Sequence, residues 1–182
     1  MVRMMLDAAI ASGSRGEGLA TVVYGGGPMY FADIEAALAH FGQRFVQIYG
    51  QGESPMTITV LTRDDHAAVD HPRYRERLAS VGFAQAAVEV RVVDESGKPL
   101  PPGQVGEVVV RGDVVMSGYW RNPDATASAL RDGWLWTGDL GELDADGYLT
   151  LKDRSKDLVI SGGTNIYPRE VEEALLTAGG VA

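Results

Sequence analysis

Four glycine-punctuated stretches hold the residue types from which a polar site is made. Tyr24-Gly25-Gly26-Gly27-Pro28-Met29 closes an apolar run, and Tyr49-Gly50-Gln51-Gly52-Glu53 sets a phenol four residues ahead of a carboxylate. Thr137-Gly138-Asp139 places a hydroxyl and a carboxylate on either side of one glycine. Asp153-Arg154-Ser155-Lys156-Asp157, followed by Ser161-Gly162-Gly163-Thr164-Asn165, alternates charge before a second glycine turn. Glycine permits positive φ and close backbone approach to a ligand, yet most such turns are only turns. None of the four is the G-x-x-x-x-G-K-S/T phosphate loop. Residue by residue, Tyr49 reads first as core at a strand end, Glu53 as a solvated loop charge, Asp139 as a turn cap and Arg154 as a surface cation.

Other chemistries are excluded by composition. The chain has no cysteine, which removes disulfides, thiolate zinc sites and cysteine nucleophiles and fits a cytoplasmic protein. His40, His66 and His71 lack the spacing and the company of a zinc site and read as surface or loop histidines. Asp144-Ala145-Asp146-Gly147 resembles the start of a calcium loop, but Ser155 stands at the twelfth position, where a bidentate Glu is required. A formal charge of −9, with its Lys and Arg scattered, argues against a nucleic-acid partner. No run approaches the roughly 18 apolar residues of a membrane span, and Arg3 and Asp7 interrupt the apolar start, so a soluble, unprocessed chain is expected.

The elements that must position these residues follow from periodicity. Leu19 to Tyr24 reads as a buried strand running into the Gly25 turn. Phe31, Ile34, Leu38 and Phe41 recur at helical spacing and stop at Gly42, and Phe45 to Ile48 forms the next strand. Strand, helix, strand implies a parallel sheet with functional loops at the strand C-termini. From Val88 the pattern alternates: Val88, Val90 and Val92, a turn at Glu95 to Lys98, then a strand from Glu107 to Arg111. Asn122-Pro123-Asp124 is a helix start, with Asn as cap and Pro at the first helical position, so Ala125 to Leu130 is expected to be helical. Gly133 to Asp139 reads as a loop, Asp144 to Gly147 as a tight turn, Leu158 to Ile160 as a strand, and Arg169 to about Leu176 as an acidic amphipathic helix opened by Pro168.

Taken together and in order, the four stretches resemble the core motifs of the adenylate-forming superfamily, which includes acyl-CoA synthetases, peptide-synthetase adenylation domains and luciferases. The likeness runs from about Leu19 to the C-terminus. It implies an α/β fold followed by mostly β structure: the end of a parallel αβ subdomain over residues 1–87, a small β-barrel-like subdomain over 88–153, and a hinge with the start of a small α+β domain over 154–182. It implies an AMP-forming acid–thiol ligase of fatty acid metabolism that uses ATP, Mg2+, CoA and a small carboxylic acid. Gly25, Gly26, Gly27 and Pro28 would bring backbone to the adenine and the acyl pocket. Tyr49 would stack on adenine beside Gly50, Gln51 and Gly52, and Glu53 would hold the magnesium. Asp139 would accept hydrogen bonds from the ribose, with Arg154 donating from the other side. Lys156 falls at the family's hinge, and the Gly162 and Gly163 turn would line the pantetheine tunnel. The Gly162 to Pro168 stretch looks more like free-standing CoA ligases than like domains that load a carrier protein; a non-catalytic nucleotide-binding module is the reading from a different class.

Two departures set further expectations. The family usually carries Thr just before the motif Glu, and here Gly52 stands there, so a hydrogen bond worth about 1.5 to 3 kcal/mol to a charged group is missing. No Ser/Thr/Gly-rich loop ending in Lys is present, nor the late lysine that orients the carboxylate. The resemblance therefore implies a segment that begins midway through the large domain and ends early in the small one, inactive alone and inclined to self-associate, up to homo-oligomers, through apolar surface.

Overall fold

The computed structural model describes residues 1–27, 29–154, 159–161 and 164–177. Its first layer opens with α1 (Val2–Ser12), which no glycine or cap signal announces at its start; Val2, Leu6 and Ala9 face inward and Gly13 ends the helix in the left-handed region. Strand β1 (Val22–Gly25) is shorter than the apolar run and buries only Tyr24, leaving Val23 more than half exposed. It lies at a sheet edge, so alternate residues face solvent and the expectation of a fully buried strand is corrected. Helix α2 (Phe31–Phe41) follows at the expected place and buries Ile34, Ala37, Leu38 and Phe41. Phe45 and Ile34 are fully buried and, with Leu6, Tyr24 and Leu61, make one apolar cluster. Each such side chain contributes about 1.5 to 3 kcal/mol by leaving water.

Strand β2 (Phe45–Gln51) pairs parallel to β1, as the strand–helix–strand order requires. The sheet then turns antiparallel: β3 (Ser54–Leu61) returns along β2 through a two-residue turn at Gly52-Glu53, and β4 (Phe83–Ala84) lies beside β3. Between them come α3 (Arg63–Ala67) and α4 (Tyr74–Ala79). A reciprocal capping box between Thr62 and Asp65 starts α3. His66 is completely buried on that short helix, which corrects the reading of all three histidines as surface residues.

The second layer is antiparallel throughout. Strands β5 (Val88–Val93), β6 (Gly106–Gly112), β7 (Leu130–Arg131), β8 (Trp134–Leu143) and β9 (Leu149–Arg154) form one sheet in which β8 pairs with β6, β7 and β9. Helix α5 (Pro123–Ala129) has its cap where the sequence put it, with Asn122 Oδ1 accepting from Ala125 N at 3.1 Å. The stretch from Gly133 to Asp139, expected as a loop, is mostly the first half of β8; its aromatic residues supply a sheet surface, and Gly138 twists the strand without ending it. Strands β10 (Val159–Ser161) and β11 (Thr164–Ile166) form a separate hairpin ahead of α6 (Pro168–Thr177). The second apolar cluster joins Tyr49, Ile58 and Val81 to Val92, Val108, Val110, Leu135 and Leu149, while Tyr148 belongs to the first. Among the described residues no helix is long and apolar enough to cross a membrane.

Candidate functional site

The ends of β1 and β2 set one wall of a cavity of about 430 Å³, within the range of small-molecule sites. Gly25 lies opposite Ile48 in the parallel ladder, and a Cβ there would stand 2.1 Å from the Ile48 carbonyl oxygen, so only glycine lets the two strands close. Gly26 continues the turn at φ 75°. In β2 the pairing with β3 shifts between Tyr49 and Gln51, and Gly50 sits at that irregularity, where a Cβ would meet Met56 N at 2.3 Å. This bulge brings Tyr49, Gly50 and Gln51 together along the cavity wall.

The facing wall comes from β8 and β9. Thr137 Oγ1 donates to the Val108 carbonyl at 2.8 Å and accepts from Asp139 N at 3.1 Å. Gly138, at φ 72°, donates its N–H to Glu107 Oε1 at 3.0 Å. Hydroxyl, glycine and carboxylate thus form one local device that turns Asp139 inward. Asp139 is 6% exposed, and its Oδ2 accepts from the Tyr49 hydroxyl at 2.6 Å and from Gln51 Nε2 at 2.7 Å. Gln51 Nε2 also reaches the Thr137 carbonyl at 2.9 Å. Directly across the β8–β9 ladder, Arg154 Nε lies 3.2 Å from Asp139 Oδ1, with more than half of the Arg154 side chain exposed. Burial, and then the neighbouring Asp139 charge, push the Tyr49 phenol well above its ordinary pKa, so it remains a neutral donor.

Of the residues singled out from sequence, the cavity gathers Gly25, Gly26, Gly27, Tyr49, Gly50, Gln51, Asp139 and Arg154. Gly52 and Glu53 form the turn tip immediately after Gln51 and are not part of its lining. Tyr49 is 8% exposed and shared between the cavity wall and the second apolar cluster. Pro28, Lys156, Gly162 and Gly163 lie outside the described residues. Met29 and Asp153, which lie in the quoted stretches without a role of their own, also face the cavity, as do Gln47, Val81, Lys152, Pro168 and Glu172, which sequence reasoning missed. For Gln47 a signal existed: a polar residue at a buried position of β2, in phase with Phe45 and Tyr49.

Chemically the lining offers the carboxylates of Asp139, Asp153 and Glu172, the cations of Arg154 and Lys152, the amides of Gln47 and Gln51, and glycine backbone edges, which suits a polyhydroxyl ligand bearing phosphate. Among the described residues no group of three or more His, Cys, Asp or Glu could hold a metal ion. Mg2+ ordinarily takes only one or two carboxylates, with substrate oxygens and water completing its shell, and does not require such a group.

This architecture is that of the adenylate-forming enzymes. The amide bond synthetase McbA from Marinactinospora thermotolerans superposes with a TM-score of 0.85 at 40% identity, covering 98% of this chain and 35% of that one. O-succinylbenzoate CoA synthetase (MenE) from Bacillus subtilis, solved in complex with the acyl-adenylate intermediate OSB-AMP, gives 0.83 at 34% identity over 99% of this chain and 35% of its own. The model of the AMP-binding enzyme family matches residues 1–120, and the chain belongs to that family. The medium/long-chain-fatty-acid–CoA ligase FadD8 of Mycobacterium tuberculosis is 42% identical over 164 residues, which is 90% of this chain and 28% of that ligase. The chain thus spans about a third of the length of the relatives it matches.

Proposed function

We propose that this chain is the nucleotide-binding segment of an AMP-forming acid–thiol ligase that takes a carboxylic acid, ATP, Mg2+ and CoA. The observation that carries the reading is the meeting of Gly25 to Gly27, Tyr49, Gln51, Asp139 and Arg154, from four distant stretches, around one cavity in a chain of this family. In the reaction a substrate carboxylate oxygen attacks the α-phosphorus of ATP and the bond to pyrophosphate breaks; the thiol of CoA then displaces AMP from the acyl carbon.

The chain's own residues bind and orient. Asp139, held from one side by Tyr49 and Gln51, presents Oδ1 to the ribose hydroxyls, and Arg154 donates to the ribose or phosphate from the opposite strand. The glycine edges of β1 and β2 admit the adenine without side-chain obstruction. Glu53, at the turn tip beyond Gln51, is the carboxylate for magnesium, which when bound neutralises phosphate charge. The fatty-acid–CoA ligase and the O-succinylbenzoate CoA synthetase among the relatives support a CoA acceptor for a carboxylic acid, although McbA is an amide bond synthetase. The 182 residues hold no Ser/Thr/Gly-rich loop ending in lysine, so the segment alone is inferred to support no pyrophosphate exchange.

The test is transplantation. Grafted in place of the matching segment of a full-length CoA ligase, this chain is expected to support acid-dependent AMP release that Asp139→Ala abolishes. A graft that folds and binds no ATP would refute the reading.

A further inference from the structure

The turn tip that carries Glu53 is held by a loop outside the four glycine-punctuated stretches, residues 113–122 between β6 and α5. Met116 N donates to the Glu53 carbonyl at 2.8 Å, and the Tyr119 hydroxyl donates to Glu53 Oε1 at 2.5 Å, so backbone and carboxylate are gripped from the same loop. The loop is itself seated on the first turn of α5. Tyr119 N donates to Thr126 Oγ1 at 2.9 Å, Asn122 N reaches the Tyr119 carbonyl at 3.3 Å, and Gly118, at φ 147°, lies where a Cβ would meet the Thr126 methyl at 2.8 Å.

We propose that Tyr119 is a positioning residue for the metal carboxylate: its phenol fixes one oxygen of Glu53 and leaves Oε2 to be the cation ligand. The inference rests on the assignment of Glu53 to magnesium. A glutamate at the tip of a two-residue turn has three free side-chain torsions, and a single monodentate ligand gains most from having them fixed beforehand. Hydrogen bonds that orient a ligating carboxylate are worth about 10- to 100-fold in metal affinity, and the partial exposure of Tyr119 puts it at the lower end. Trp120, next in the chain, is almost fully exposed and provides an internal control.

The experiment titrates the chain with Mn2+ in the presence of saturating AMP, which itself binds Mn2+ only weakly, following free Mn2+ by electron paramagnetic resonance, with AMP affinity measured separately without metal. Tyr119→Phe is expected to raise the Mn2+ concentration at half-saturation about tenfold. Glu53→Gln should raise it at least as much, Trp120→Ala should match wild type, and AMP affinity should be unchanged in all three. If Glu53→Gln weakens the metal and Tyr119→Phe does not, the positioning role is overturned while the Glu53 assignment stands. If Glu53→Gln leaves Mn2+ binding as it was, that assignment fails and the inference with it. A Tyr119→Phe chain that loses AMP affinity in proportion to metal affinity would show a merely structural loop and also refute the proposal.

Discussion

The hydroxyl of Tyr49 lies 2.6 Å from Oδ2 of Asp139, a hydrogen bond that spans 90 residues of sequence and joins the two sheets at the floor of the cavity. A buried carboxylate must be bonded, and here two of its donors, Tyr49 and Gln51, sit on the same strand. Removing the phenol leaves Asp139 under-satisfied in a nearly closed environment. Tyr49→Phe is expected to cost about 1 to 3 kcal/mol of stability, seen as a lower urea midpoint at unchanged slope.

The parallel ladder between β1 and β2 makes an asymmetric prediction about two glycines of the same turn. Gly25→Ala forces a methyl group into the Ile48 carbonyl and should destabilise by about 2 kcal/mol or more. Gly27→Ala meets nothing within 4 Å and should stay within about 0.5 kcal/mol of wild type in the same denaturation experiment.

His66 supplies a pH dependence. Its ring is fully buried between the Thr62 carbonyl, 2.6 Å from Nδ1, and the Tyr24 hydroxyl, 2.9 Å from Nε2, an arrangement that suits the neutral ring with its proton on Nδ1. Burial lowers its pKa below the ordinary histidine value. The unfolded chain therefore binds the proton more readily, so this stabilisation is complete above about pH 6.5 and is lost as pH falls from there toward the folded-state pKa. Unfolding free energies should rise with pH up to about 6.5 and level off above it in wild type, and that rise should flatten in His66→Gln.

Gly52 stands where related motifs carry threonine, and a Cβ there would meet nothing within 4 Å, at a φ that side chains accept. Gly52→Thr should leave stability within about 0.5 kcal/mol of wild type and raise adenylation by the graft described above, since a hydroxyl becomes available to phosphate and carboxylate oxygens. Equal or slower turnover would contradict the missing hydrogen bond.

The fold was legible wherever a periodicity or a cap was local. Helix α2 follows from the spacing of Phe31, Ile34, Leu38 and Phe41, α5 from Asn122-Pro123, and the parallel pairing from the strand–helix–strand order. The first half of β8 was not, because Gly133 and Gly138 read as punctuation, while Trp134 to Asp139 is kept extended by β7, just across the Asp132-Gly133 turn, and by β6, which lies well before it in sequence. The burial of His66 was illegible for the same reason: its partner Tyr24 is 42 residues distant. At the site, the motifs named Tyr49, Asp139 and Arg154, but their bonding to one another depends on tertiary register that no local pattern encodes.

The most direct test of the nucleotide cavity is an AMP titration of this chain followed by heteronuclear NMR, with wild type and Arg154→Ala compared. The account predicts shifts concentrated at Gly25 to Gly27, Tyr49 to Gln51 and Asp139, and an affinity reduced roughly tenfold or more in the variant, the worth of a hydrogen bond between charged groups. Absence of binding, or shifts mapping to another face with the variant unaffected, would contradict it.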